Sequence, residues 1–349
     1  MKISPDKKLI RQYLIDVLIL SAVYIICSFS ILRANFDYID DSKRILIGYM
    51  GWDEFGRYLA NIFASILNTS RYLTDISPLS QIIALVILSF TGIAIIYKFF
   101  SKHRVTILGF ISLIPFALNP YFLECLSYKF DAPLMALSIA VSVLPIVLFD
   151  KNTALYFIAS FIGTLSMCMS YQASSGIYPM LVVLVAFSMW CNGNNASDIF
   201  KYILTSALAY VSALLIFKLF IMKSFEQYVS TSLPGIESLV PNTVENLKKY
   251  YSYVFSDFTR LQLICFILIF ISFVYVSAKN SCRHLFITVL LSIFVLFIMA
   301  ALCFGVYPLF TEPLFEPRAM YGFGIYVAIL CIYVCHNWYS VKILDTNFE

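Results

Sequence analysis

Charge is what this sequence has least of. Of its 349 residues only 13% are Asp, Glu, Lys or Arg and only 3 are histidine, whereas about a quarter of a soluble domain is charged. That shortage excludes an ordinary water-soluble fold. Signature motifs are missing as well: there is no P-loop, no G-x-G-x-x-G, no H-E-x-x-H and no G-x-S-x-G, so nothing points to nucleotide, zinc or serine-hydrolase chemistry. The nine cysteines lie within or at the edges of apolar runs, without a disulfide framework or C-x-x-C spacing. Cys331, Cys335 and His336 share a helical turn but lack a fourth ligand, and they read as small or apolar helix residues, not as a metal site.

What the chain has instead is apolar length. Hydrophobic residues make up 61% and aromatics 17%, arranged in ten runs at about 12–32, 79–98, 105–118, 132–149, 153–170, 177–191, 199–220, 261–278, 285–303 and 319–337. A bilayer core about 30 Å thick needs roughly 20 such residues per helix. The expected fold is all-α, one polytopic membrane domain over 1–349 with about ten transmembrane helices. The first run follows Lys2, Lys7, Lys8 and Arg11 but is too long for a signal peptide and lacks a small-residue cleavage site, so it stays as a span.

Lysine and arginine divide 12 inside and 12 outside when the basic N-terminus is placed inside, but the inner loops are much shorter and so more densely basic. The acids divide 6 against 14. Both termini are therefore expected on the cytoplasmic side, and the net charge of +4 reports topology, not nucleic-acid binding. The outer loops become about 33–78, 119–131, 171–177, 218–260 and 304–318. No inner connection is long enough to fold a nucleotide-binding domain.

Polar groups gather in those outer loops, where their cost near a membrane makes each a functional candidate. The first loop holds "FDYIDDSKRILIGYMGWDEFGRYL", with Asp40, Asp41, Lys43 and Arg44 close together. After it, residues 53–68 alternate an apolar face (Phe55, Leu59, Ile62, Phe63, Ile66, Leu67) with a polar one (Asp53, Arg57, Asn61, Ser65, Asn68), as an interfacial amphipathic helix does. "NPYFLECLSYKFDAP" brings Glu124, Lys129 and Asp131, with a Glu124–Lys129 ion pair as its structural alternative. "MSYQASSGIYP" brings Gln172, and "YPLFTEPLFEPRAMYGFG" brings Arg318 among prolines that interrupt helix. The second part of 218–260 has the pattern of a short interfacial helix, and its aromatics suit an interfacial belt.

The ordered blocks "DDSKRILIGYMGWDEFGRYLANIF", "NPYFLECLSYKFDAPLMALS" and "MSYQAS" resemble the type II Gtr family of membrane glucosyltransferases, which decorate bacterial O-antigen and convert serotype. The resemblance implies a GT-C-like enzyme of the bacterial inner membrane. Its donor would be a polyprenyl-phosphate sugar, most often glucose, and its acceptor a lipid-linked O-antigen or other surface glycan on the periplasmic face. A companion flippase and a donor-synthesising enzyme usually accompany it. Within that reading Asp40 or Asp41 is the general base, and Arg44, Lys129 and Arg318 are candidates for the donor phosphate. Glu124, Asp131 and Gln172 suit sugar hydroxyls, and Tyr49 and Trp52 suit a sugar face. No metal site is expected, although an Asp pair in a loop also offers oxygen ligands to a divalent cation. The competing class is a flippase or transporter of lipid-linked saccharides without chemistry, which calls for broken helices and midplane charges. An acyltransferase is disfavoured because His103, His284 and His336 all fall on the inner side.

Overall fold

An apolar run in lipid has no water to satisfy its N–H and C=O groups, so it closes them on itself as helix. The computed structural model describes residues 7–100, 105–222 and 232–345, and its regular elements are helices. Lys2, the inner-loop residues 101–104 with His103, and residues 223–231 of the 218–260 loop lie outside the described residues.

All ten apolar runs are helical, but they differ in length. Among the described residues six helices are long and apolar enough to cross a membrane: Lys7–Cys27, Leu79–Phe99, Gln172–Cys191, Ala196–Ile221, Arg260–Asn280 and Leu285–Leu302. A seventh forms if Ile107–Ala117 and Pro120–Ser127 count as one broken span, bent by 60°. The bend has a local cause. Pro120 pushes Asn119 out of the helical region, to φ −87° and ψ 152°, and the Asn119 side chain then caps the new helix by accepting from the Phe122 N–H at 3.0 Å. Ala132–Leu148, Thr153–Cys168 and Gly322–Trp338 are apolar helices of shorter length. The expected ten thus become six or seven spans by length, with three short partners.

Two of the short helices, Ala132–Leu148 and Gly322–Trp338, sit centrally, whereas Thr153–Cys168 turns Leu155, Ile158 and Ile162 outward. Nearly every residue of Ala132–Val143 is buried, and Leu79–Phe100 packs along it; Thr153–Cys168 packs on Ala196–Ile216, and Arg260–Asn280 on Gly322–Asp345. The peripheral helices turn Leu18, Leu204, Leu268, Phe286 and Phe297 outward. A continuous apolar exterior of this kind is what lipid, not water, solvates.

The outer loops of the sequence reading come together at one end of the bundle. There Gly176 lets the chain cross the 302–305 turn, because a Cβ at this glycine would fall 1.9 Å from the Leu302 carbonyl oxygen. Beside it the Val306 N–H donates to Ser175 Oγ at 3.1 Å. The expected short helix in 218–260 is the 22-residue helix Ile236–Asp257. Its Asn246 donates to the Pro308 and Phe310 carbonyls and its Tyr250 hydroxyl to Leu314 O, which pins the segment leading to Arg318. Tyr250 stacks on Phe304 at 4.6 Å, so this aromatic belongs to the interior, while Phe255 remains exposed. At the opposite end Lys98 pairs with Asp150 at 2.6 Å, and Arg283 donates to the Trp190 and Asn194 carbonyls.

Candidate functional site

The Asp pair opens a helix. Asp40 precedes the helix Asp41–Ile47 and is exposed, whereas Asp41, its first residue, is fully buried. The two neighbouring carboxylates face different ways because the first turn of the helix separates them. Asp41 Oδ2 accepts from the Tyr38 N–H at 3.1 Å and the Lys129 N–H at 3.2 Å, while its buried Oδ1 has no hydrogen-bond partner among the described residues. Burial pushes the Asp41 carboxyl up to about 6, against the hydrogen bonds that favour its ionised form.

Arg44, Trp52 and Asp131 form one interlocked unit. The Arg44 guanidinium lies 4.1 Å from the Trp52 ring centroid, its Nε is 3.5 Å from Asp131 Oδ2, and its Nη1 donates to the Met50 carbonyl at 2.5 Å. Trp52 Nε1 donates to Asp131 Oδ1 at 2.6 Å. Lys129, only 2% exposed, places Nζ 2.5 Å from Asp37 and 3.4 Å from Asp75. Both cations already have carboxylate partners. The Glu124–Lys129 pair does not form; Glu124 accepts instead from the Tyr38 hydroxyl at 3.2 Å and the Arg318 N–H at 2.6 Å. Tyr49 donates to Glu54 and keeps part of its ring exposed.

Arg318 differs from Arg44 and Lys129. Its Nη1 donates to the Tyr128 hydroxyl at 2.5 Å, and among the described residues no carboxylate comes within ion-pair distance of its guanidinium. Glu124 and the exposed Asp40 lie within electrostatic reach of it. Gln172 accepts from Arg57 Nε at 2.8 Å and donates to Phe55 O at 3.4 Å.

Arg57 itself was visible only as one polar residue on an amphipathic stretch. That stretch is not one helix: a 3-10 turn over Trp52–Phe55 ends at Gly56, and the helix Tyr58–Asn68 follows. Gly56 takes φ +70°, and a Cβ there would meet the Ile221 carbonyl and Met222 at 3.2 Å, so the switch that aims Arg57 requires glycine. Tyr128, Asp37 and Asp75 were likewise unmarked in the sequence.

Among the described residues no group of three His, Cys, Asp or Glu side chains is arranged to hold a metal ion. Two cavities of about 360 and 290 Å³ open at the opposite end of the bundle, lined in part by Lys98, Asp150, Asn194 and Lys201. They are remote from the Asp pair.

Fold and site together define an all-α polytopic membrane protein whose ionisable groups are gathered among loops at one end of an apolar bundle. The model of the family described as Glucosyl transferase GtrII matches residues 29–329. The chain belongs to that family, as the loop sequences suggested. It is also similar to an uncharacterised 55.3 kDa protein in the gtrB 5′ region of Salmonella phage P22, with 28% identity over 233 residues, which is 65% of this chain and 47% of that protein. The chain therefore spans about half the length of that curated relative. No solved structure matches it.

Proposed function

We propose that the chain is a glycosyltransferase that moves glucose from a polyprenyl-phosphate donor to a lipid-linked O-antigen glycan, at the periplasmic face of the bacterial inner membrane with both termini cytoplasmic. Family membership supports the class of reaction. The observation that carries the chemistry is the exposed Asp40 within electrostatic reach of Arg318 at the end of the apolar bundle.

A polyprenyl chain lies among the apolar helices and presents its phosphate and sugar to these loops. The acceptor hydroxyl oxygen attacks the anomeric carbon, Asp40 takes the hydroxyl proton, and the bond between that carbon and the phosphate oxygen breaks with its electron pair leaving on the phosphate. One displacement inverts the anomeric centre. Arg318 stabilises the charge that develops on the departing phosphate. Asp41, buried and holding two backbone N–H groups, shapes the loop that presents Asp40. Arg44 and Lys129 serve as its cationic frame, while Glu124 and Tyr49 meet the sugar; Asp131, Trp52 and Gln172 support them from behind. A separate flippase and a donor-synthesising enzyme supply the lipid-linked glucose.

The test supplies radiolabelled polyprenyl-phosphate glucose and O-antigen acceptors to membranes carrying the wild type or Asp40→Asn. Transfer by the wild type and a loss of about 10²-fold or more in the variant, as expected for removal of a general base, supports the reading. Equal transfer by both removes Asp40 from the chemistry. A reporter fused after residue 75 checks sidedness, and a cytoplasmic signal overturns the periplasmic placement.

A further inference from the structure

Arg57 and Arg318 come from loops 261 positions apart in the sequence; Arg57 lies against Tyr171 and Arg318 against Tyr128. The Arg57 guanidinium lies 4.6 Å from the Tyr171 ring centroid, and both arginines are within electrostatic reach of Tyr171 and Tyr307. Tyr171 and Tyr307 are 5% and 6% exposed; no described residue accepts a hydrogen bond from either hydroxyl, and neither hydroxyl oxygen is sealed from the surface. Arg57 has no carboxylate partner among the described residues; Gln172 holds it through Nε alone, which leaves its terminal nitrogens for something else. Two half-buried guanidiniums without carboxylate partners among the described residues, and two tyrosine hydroxyls, make this a cluster of hydrogen-bond donors.

We propose that Arg57, Arg318, Tyr171 and Tyr307 form the seat of the donor's phosphate, with Arg57 as a second cation for the leaving group and Gln172 as its positioning residue. The inference rests on the transfer reading above and deepens it. The donor is a phosphodiester with one negative charge, and the departing polyprenyl phosphate becomes a monoester with up to two. A pair of guanidiniums therefore interacts more strongly with the leaving group than with the bound donor, which is the difference that lowers a barrier. Arginine suits the task because its planar fork can donate two parallel hydrogen bonds to phosphate oxygens.

The experiment uses the full-length chain in nanodiscs and titrates it with farnesyl phosphate and, separately, inorganic phosphate, following ³¹P NMR line shape. Expected results are saturable farnesyl phosphate binding to the wild type, weakened about tenfold or more by Arg57→Gln and by Arg318→Gln, in keeping with the loss of a charge-assisted hydrogen bond. Arg57→Lys should recover part of the loss, and Arg71→Gln, a basic residue of the same outer loop, should bind normally. Variants are compared only where melting and gel-filtration profiles match the wild type, and Gln172→Met, which retains the arginine, should raise the dissociation constant less than Arg57→Gln does. Unchanged farnesyl phosphate binding in folded Arg57→Gln and Arg318→Gln overturns the proposal. So does inorganic phosphate binding as tightly as the lipid, which would assign the cradle to free phosphate. Arginine-dependent lipid binding without any sugar transfer would leave the seat standing and sink the transferase reading. Full-rate transfer by Arg57→Gln would do the reverse.

Discussion

Trp52 Nε1 donates to Asp131 Oδ1 at 2.6 Å across 79 positions of sequence, and the Arg44 guanidinium lies over the same indole at 4.1 Å. The bond closes the first polar loop onto the start of a buried helix. Trp52→Phe keeps most of the ring but leaves a buried carboxylate oxygen without its donor, a loss of about 1–3 kcal/mol. Arg44→Met, which leaves the Asp131 charge without its cation, should cost more, about 3–5 kcal/mol. Thermal melting in one detergent checks both, and a larger shift for Trp52→Phe than for Arg44→Met contradicts this ranking.

Asp40 and Asp41 should separate under mutation. Asp40→Asn is expected to remove transfer with little change in melting. Asp41→Asn retains an acceptor for the Tyr38 and Lys129 N–H groups and should spare most activity. The reverse pattern would make Asp41 the base.

The buried carboxyl of Asp41 also predicts a pH signature. Its folded value of about 6 stands above the reference of 3.8, so the folded chain holds this proton more tightly than the unfolded chain does. Its contribution is most favourable below 3.8, declines as pH rises towards 6, and is level above that, with a total change of at most about 3 kcal/mol. Wild type should therefore lose stability relative to Asp41→Asn between those values. Parallel melting curves for the two proteins from pH 4 to 7 would refute the assignment.

Lys129 ties Asp37 and Asp75 to one buried ammonium. Lys129→Met leaves two carboxylates without a cation and should loosen residues 33–47, seen as faster proteolysis of that loop in the folded protein. Cleavage at the wild-type rate would show that the ion pairs do not hold it.

Gly176 and Gly235 give a steric contrast. Gly176→Ala drives a methyl group into the Leu302 carbonyl, whereas the nearest atom to a Cβ at Gly235 is 3.8 Å away. The first substitution should lower the yield of folded protein severalfold and the second should leave it unchanged, as read by fluorescence-detected size exclusion.

Hydropathy made the bundle legible in the sequence, because it is a property of adjacent residues, whereas the bend at Pro120 was not read from it. The amphipathic period over 53–68 likewise marked the helix Tyr58–Asn68, though Gly56 shortens it. Partners across long separations were another matter. Lys129 has Glu124 five positions away, yet its ammonium goes to Asp37 and Asp75, a choice set by tertiary packing that spacing does not encode. Arg57 lay in view on a polar face, where a solvated arginine and a ligand-facing one look the same. What distinguishes it is the position of Tyr171 and Gln172, which only the folded chain brings near.

The helix Tyr58–Asn68 begins directly after Arg57, buries Ala60 and Ala64 against the protein and leaves Ile62 and Ile66 exposed. If those isoleucines rest in acyl chains, the lipid surface becomes a depth gauge for the arginine beside them. Reach toward a membrane-held phosphate is then partly a property of the bilayer, and transfer rates should shift between short-chain and long-chain phosphatidylcholine vesicles, a dependence that Ile62→Ser with Ile66→Ser would flatten.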